Sequence, residues 1–199
     1  MENSFIDSIK NRRSVYSLNK NVSLSDTQIQ QLVTAAVKHC PSAFNSQTSR
    51  ISILFGEHHI KLWDIVEEAL RSIVPEDKFP KTAEKIDTFR QGYGSILFFE
   101  DTEIVSNLQK NFPAYEKNFP IWSEQSTGIT QFAVWTALAH EGIGASLQHY
   151  NELIENQIKE HWHIPASWSL KAQMPFGGIA GKPKEKEFIS DESRVTVFS

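Results

Sequence analysis

The stretch from Gly128 to Glu141 constrains this chain more than any other. Ile129, Phe132, Ala133, Val134, Trp135, Ala137, Leu138 and Ala139 put apolar side chains on more than one face of a helix. A helix apolar on most sides is buried in a core or between subunits. Gly142 and Gly144 mark its end. The rest of the chain must wrap this helix. At 199 residues it is long enough to build a sizeable core. No internal repeat, low-complexity tract or polar linker divides it, so residues 1–199 read as a single domain.

Around that helix the pattern predicts a few strands among many helices. Ser4 to Asn11 reads as a short helix. Ser23-Leu24-Ser25-Asp26 is rich in capping residues and opens a second helix through Ile29, Leu32, Val33, Ala36 and Val37, which should stop near Cys40-Pro41. Arg50 to Phe55 reads as a strand ended by Gly56. Helices are predicted over Glu57 to Ile73, Lys81 to Gln91 and Thr102 to Asn111, with a buried strand at Ser95 to Phe99. Ala145 to His149 is a candidate strand, Asn151 to His161 a polar helix, and Leu170 to Phe176 a strand running into Gly177-Gly178. The tail Arg194-Val195-Thr196-Val197-Phe198 has strand propensity and could dock on its own sheet or on a second subunit. The fold class is α+β.

Composition narrows the function. Net charge is −4, which argues against nucleic acid as the main partner. No unbroken apolar run is long enough to cross a bilayer, and Met1 to Phe5 lacks the basic and apolar parts of a secretion signal. One cysteine, Cys40, permits no intrachain disulfide, which suits the cytoplasm. Beside a proline and without a nearby base, it reads as a small core residue. His58 and His59 point apart on most backbones, and His161 and His163 flank Trp162 without a metal-ligand set. Glu67-Glu68 and the run Lys182 to Glu187 read as solvated faces.

Three segments could carry chemistry. In Asn11-Arg12-Arg13-Ser14, two guanidiniums and a hydroxyl can grip a phosphate, though arginines also complement a helix end. Pro41-Ser42-Ala43-Phe44-Asn45-Ser46-Gln47 is dense in small hydrogen-bonding groups that suit the edge of a flat heterocycle, or an ordinary turn. Phe44 there either packs inward or faces a ligand or another chain. Gly144-Ala145-Ser146-Leu147-Gln148-His149-Tyr150-Asn151 combines glycine freedom with polar groups at a strand end, or is a helix cap followed by a half-buried strand.

Taken together, and with Trp122-Ser123-Glu124-Gln125-Ser126 and Ala172-Gln173-Met174-Pro175-Phe176-Gly177, these segments resemble the nitroreductase family of FMN-dependent oxidoreductases. The likeness is to its short branch of fatty-acid-repression-like and copper-induced nitroreductases, and it spans almost the whole chain. The resemblance implies an α+β sandwich with a mostly antiparallel sheet, forming a homodimer with two FMN sites at its interface. Arg12, Arg13 and Ser14 would bind the FMN phosphate and ribityl chain, Arg194 would close that site, and Lys182 or Lys186 would assist. Pro41, Ser42, Phe44, Asn45 and Gln47 would approach the flavin from the partner subunit. Gln148 and His149 would lie by its reactive face.

Two positions depart from the family pattern. Tyr16 stands where many longer members carry a lysine toward the flavin's pyrimidine edge, and His149-Tyr150 replaces a glutamate-glycine pair. The resemblance implies ping-pong hydride transfer from NADH or NADPH to a nitroaromatic, quinone or similar acceptor, with the flavin carrying the chemistry and no catalytic side chain required. A non-enzymatic, flavin-binding role in stress or lipid response is the alternative.

Overall fold

The computed structural model describes residues 4–198. Met1, Glu2 and Asn3, included above in the reading of the N-terminal segment, lie outside them, as does Ser199. The elements run α1 (Ser4–Asn11), β1 (Leu18–Asn19), α2 (Asp26–Lys38), β2 (Ser49–Phe55), α3 (Gly56–Arg71), α4 (Phe79–Arg90), β3 (Gly94–Asp101), α5 (Thr102–Asn111), α6 (Asn118–His140), β4 (Gly144–Ala145), α7 (Asn151–Trp162) and β5 (Trp168–Ile179). The strands form one sheet in the order β1-β5-β3-β2, with β4 also paired to β5, and every ladder is antiparallel.

β3 explains the layering. Its side chains alternate between two cores because successive strand residues face opposite sides of a sheet. Ile96 and Phe98 join Ile29 and Val33 of α2 and Val134 and Leu138 of α6. Leu97 and Phe99 join Leu62, Trp63 and Val66 of α3, Phe89 of α4 and Ile154 of α7. Both faces of the central sheet are therefore covered, as an α+β sandwich requires. Each such buried phenylalanine or leucine contributes about 2 kcal/mol. The boundaries have local causes. Ser25 caps α2 in a reciprocal box with Gln28. Gly56, at φ +53°, turns β2 into α3 with no intervening loop.

Four expectations need correction. The central helix starts at Asn118, ten residues before Gly128. Its first half is rich in hydroxyls, and Ser126, Thr127 and Thr130 bond back to carbonyls one turn earlier. Pro120 sits in the first turn, where no donor is needed. The Ala145–His149 strand shrinks to Gly144–Ala145 plus a single bridge between Gln148 and Gln173. The tail does not join this chain's own sheet; Val195, Val197 and Phe198 are exposed and, among the described residues, no sheet edge pairs with them. Glu67 is not merely solvated, because it pairs with Arg71 at 3.0 Å and Arg90 at 2.6 Å. Of the adjacent histidines, His59 turns into the core, while His58 accepts from Trp162 Nε1 at 3.1 Å.

α6 is not buried all round. Ile121, Ile129 and Phe132 form a stripe left 57%, 43% and 39% exposed. No helix among the described residues is long and apolar enough to cross a membrane.

Candidate functional site

The first and third segments meet at the sheet. Ser14 bridges Ala145, and Val15 N–H donates to the Ala145 carbonyl at 2.9 Å. This fixes Arg12, Arg13 and Ser14, which follow α1, beside the Gly144–Gln148 strand end. The Arg12 guanidinium lies over the Trp135 ring of α6, 4.3 Å from its centroid. Burial, and after it the charge of Arg13, lower the Arg12 pKa from its ordinary value. Neither arginine forms an ion pair among the described residues.

These side chains open into a cavity of about 870 Å³ lined also by Tyr16, Lys85 and residues 181–186. It brings together Arg12, Arg13, Lys85, Lys182, Lys184 and Lys186 against one carboxylate, Glu185. The lysine run, expected to be a solvated face, is thus one wall of a cavity. Arg13 also donates to the Lys184 carbonyl. An adjoining hollow of about 1010 Å³ shares Tyr16 and Lys85 and reaches Tyr150, whose pKa burial raises. Gln148 is buried; its N–H donates to the Gln173 carbonyl at 2.7 Å and its amide to Ser146 Oγ at 3.1 Å. His149 beside it is exposed. Arg194 is not brought to either cavity.

The second segment lies elsewhere. Pro41, Ser42 and Phe44 line a separate 380 Å³ pocket with Trp122, Ser126 and Ile129. Ser42 and Gln47 also line a 150 Å³ cavity with Cys40, Ser49 and Thr130. The loop is strained: Phe44, Asn45 and Gln47 have φ of 57°, 50° and 47°. Such conformations cost on the order of 1–3 kcal/mol each outside glycine and gather at functional sites. Ser42 holds the loop, its hydroxyl accepting from Gln47 N–H at 2.9 Å and its carbonyl from Asn45 N–H at 3.0 Å. Phe44 packs among Phe112, Tyr115, Phe119 and Trp122, yet remains 52% exposed. It packs inward and faces outward at once.

Two features were not legible as site features in advance. The aromatic cluster around Phe44 left only a high phenylalanine count, 13 in all, and Trp122 as a signal. Gln173 holds the Gln148–Asn151 turn, accepting from Tyr150 N–H at 2.8 Å and donating to Asn151 Oδ1 at 2.7 Å; its segment carried the family resemblance, but nothing in it assigned Gln173 that role.

The class these features define is an antiparallel α+β sandwich with an electropositive cavity on one side and an aromatic pocket on another. The comparisons make it specific. The chain belongs to the Nitroreductase family, whose model matches residues 9–178, and is by that membership an oxidoreductase. Nitroreductase FRM2 of Saccharomyces cerevisiae is 34% identical over 192 residues, 94% of either chain. Structures of nitroreductase CinD from Lactococcus lactis with nicotinic acid and with 4-nitrophenol superpose with TM-scores of 0.92 and 0.90, at 44% and 43% identity, covering 98% of this chain and 100% of that one. A nitroreductase with bound FMN from Desulfitobacterium hafniense, 15% identical, shares the fold across 100% of both chains at a TM-score of 0.72.

Proposed function

We propose that this chain is an FMN-dependent oxidoreductase that takes hydride from NADH or NADPH and passes it to a small acceptor such as a nitroaromatic or a quinone. It works as a single-domain subunit of a cytoplasmic homodimer and falls in the short, fatty-acid-repression-like and copper-induced branch of its family. The observation that carries the reading is the cation-rich cavity, where two arginines with no ion pair among the described residues face three lysines of the 181–186 segment. A phosphate dianion is the ligand such a set suits, through charge-assisted and bidentate bonds.

The residues present fit that cofactor. Arg12, Arg13 and Ser14 would hold its phosphate. Tyr16, shared by the anchor cavity and the hollow that reaches Tyr150, would continue the site from that anchor, and Gln148 and His149, on the strand end beside Ser14, would lie by the reactive face of the flavin. When bound, FMN supplies the hydride chemistry, so the protein need only bind, orient and exclude water.

The Pro41–Gln47 loop shares no cavity with the anchor in its own chain. We assign Pro41, Ser42, Phe44, Asn45 and Gln47 to the cofactor of a second copy. The exposed α6 stripe beside this loop supports the same arrangement, since apolar surface of this kind is buried in obligate interfaces. The molecules in complex with the Lactococcus protein, nicotinic acid and 4-nitrophenol, are flat rings, a shape that the aromatic wall around Phe44 and Trp122 suits.

The test is an anaerobic visible spectrum. Flavin bands that bleach with NADH or NADPH and return with a nitroaromatic or quinone are expected. Bands that do not bleach would replace turnover by flavin binding alone, and a colourless protein after FMN addition would refute both.

A further inference from the structure

The anchor cavity and the hollow beside it hold more positive charge than one cofactor phosphate can use. The chain as a whole carries a net charge of −4, and this corner runs against that balance. Lys78 and Lys81 line the hollow, and Lys85 lines both spaces. With the five other cations of the anchor cavity they make eight, against three carboxylates, Asp77 and Glu84 in the hollow and Glu185 in the anchor cavity. Among the described residues none of these groups forms an ion pair. A phosphate dianion at the arginines would offset two of the five excess charges and leave three. Like charges held this close repel one another unless an anion lies between them.

The three lysines of the hollow form a row. Lys78 is the residue that caps α4, and Lys81 and Lys85 follow at spacings of three and four, which sets them on one helix face. Lys85 is the end of the row next to the anchor, because it lines both spaces. Its Nζ lies 5.9 Å from the centroid of the Phe89 ring, and the Tyr16 ring packs 6.5 Å from that same ring. Lys78 lies about 10 Å further along the helix axis. The hollow is therefore cationic along α4 and continuous with the anchor. Its other lining includes Leu70 and Val74, from the end of α3 and just beyond it, and Tyr150. Tyr150 follows Gln148 and His149 directly in the chain.

We propose that this hollow seats the diphosphate of the nicotinamide dinucleotide, gripped by Lys78 and Lys81, with the nicotinamide end reaching past Tyr150 toward Gln148 and His149. The inference rests on the flavin reading, which puts the reactive face of the cofactor beside those two residues. The diphosphate is common to NADH and NADPH and is doubly charged, within what the cofactor phosphate leaves unmatched. The residue types divide the work. Arginine clamps a phosphate with two parallel bonds, which suits a resident cofactor. Lysine is a mobile point charge, which suits a donor that must arrive and leave in every turnover. The acceptor carries no diphosphate, and its aromatic wall belongs to the second copy. Donor and acceptor thus share the flavin face but not their remote contacts, so the lysines lower the KM of the donor alone.

Calorimetric titration of the flavin-loaded protein with ADP-ribose tests the seat without turnover. Lys78→Ala with Lys81→Ala should weaken binding at least about tenfold, the worth of two charge-assisted contacts at an exposed site. Wild-type affinity should fall between about 0.05 M and about 0.5 M sodium chloride, and more steeply than that of the double variant. Unchanged affinity in the variant, or a wild-type affinity indifferent to salt, would overturn the proposal, and the salt series needs no variant to fold. In anaerobic stopped flow the double variant should need about tenfold more NADH, and about tenfold more NADPH, to reach half its limiting rate of bleaching, with that limiting rate unchanged. Bleaching by 1-benzyl-1,4-dihydronicotinamide, which has no phosphate, and reoxidation by a benzoquinone should match the wild type. An equal loss with the benzyl compound would show that the lysines act on the flavin instead, and a loss with NADPH alone would move the contact to the 2′-phosphate; either refutes the diphosphate seat alone. A wild-type protein that holds no flavin, or whose flavin neither dinucleotide bleaches, would refute the functional reading and the proposal with it.

Discussion

Acidification should weaken the wild-type fold through one histidine, by an amount the structure sets. His59 is 1% exposed on α3. Trp63 Nε1 donates to Ser95 Oγ at 3.0 Å, which leaves the Ser95 hydroxyl free to donate to His59 Nδ1 at 2.9 Å. His59 Nε2 faces the Arg90 carbonyl at 3.2 Å and so carries the ring's proton. A second proton would have to enter at Nδ1, in a buried site already satisfied by the neutral ring. Burial lowers the pKa from the ordinary 6.5 to about 4, the Arg90 carbonyl opposing part of that shift. The unfolded chain therefore binds a proton near pH 6.5 and the folded chain only near pH 4. Between those values the unfolded state holds more protons. The contribution is full above about pH 6.5, is lost as pH falls, and is gone below about pH 4. A gap of about 2.5 units at about 1.4 kcal/mol per unit makes about 3.5 kcal/mol. Urea unfolding at steps from about pH 7.5 to about pH 4 should show a slope near 1.4 kcal/mol per unit that His59→Gln lacks. Carboxylates titrate in both proteins and cancel in the difference. Parallel stability curves for the two would refute the argument.

Other outcomes follow from single contacts. Arg12→Ala should keep its urea midpoint but bind FMN about 10- to 100-fold more weakly by fluorescence titration, the worth of one or two charge-assisted bonds; unchanged affinity would remove Arg12 as the anchor. Ile129→Glu with Phe132→Glu should turn a sedimenting dimer into a monomer and release flavin together, since both residues lie on the exposed α6 stripe. Flavin retained by the monomer would defeat the shared-site reading. Gly94→Ala would set a methyl 2.5 Å from the Phe176 ring and 2.9 Å from the Leu54 carbonyl, so it should cost about 1–3 kcal/mol in urea unfolding.

What could be read in advance was what local physics decides alone. α1 coincides with its prediction, and α2 begins where Ser25 can cap it, because a helix start needs only its own first turn. β3 was legible as a buried strand because its run is apolar on both faces. The first half of α6 was not, because Ser123, Ser126, Thr127 and Thr130 are residues that favour turns unless something else accepts their hydroxyls. The acceptors are the helix's own carbonyls and a carboxylate on another element, 23 and 27 residues away along the chain for Ser123 and Thr127. No local window contains that partner. The same reason hid the carboxylate itself, Glu100, which in sequence is one acid of the ordinary pair Glu100-Asp101 closing a strand.

The segments singled out for function carry a further lesson about distance. The arginine segment and the Gly144–Asn151 segment are 130 residues apart, yet β4 brings them into contact through Ser14 and Ala145. The Pro41–Gln47 loop is much nearer in sequence to the arginines, but it faces a different cavity. Three non-glycine residues held at positive φ are an expense that a free turn would relax. The loop is nevertheless fixed by Ser42 and by the aromatic cluster under Phe44, which leaves Asn45 and Gln47 exposed, the Gln47 amide donating to the Asn45 carbonyl at 3.4 Å. Such a loop has no use for its own chain's anchor. The proposed function gives it one: a second copy would place its own Arg12 and Ser14 across the α6 stripe, so that each chain would supply the phosphate grip for one cofactor and the ring contacts for the other. On that proposal assembly would come before cofactor binding, and flavin affinity should fall with protein concentration as the dimer dissociates, whereas a site complete in one chain would hold flavin equally well at any dilution.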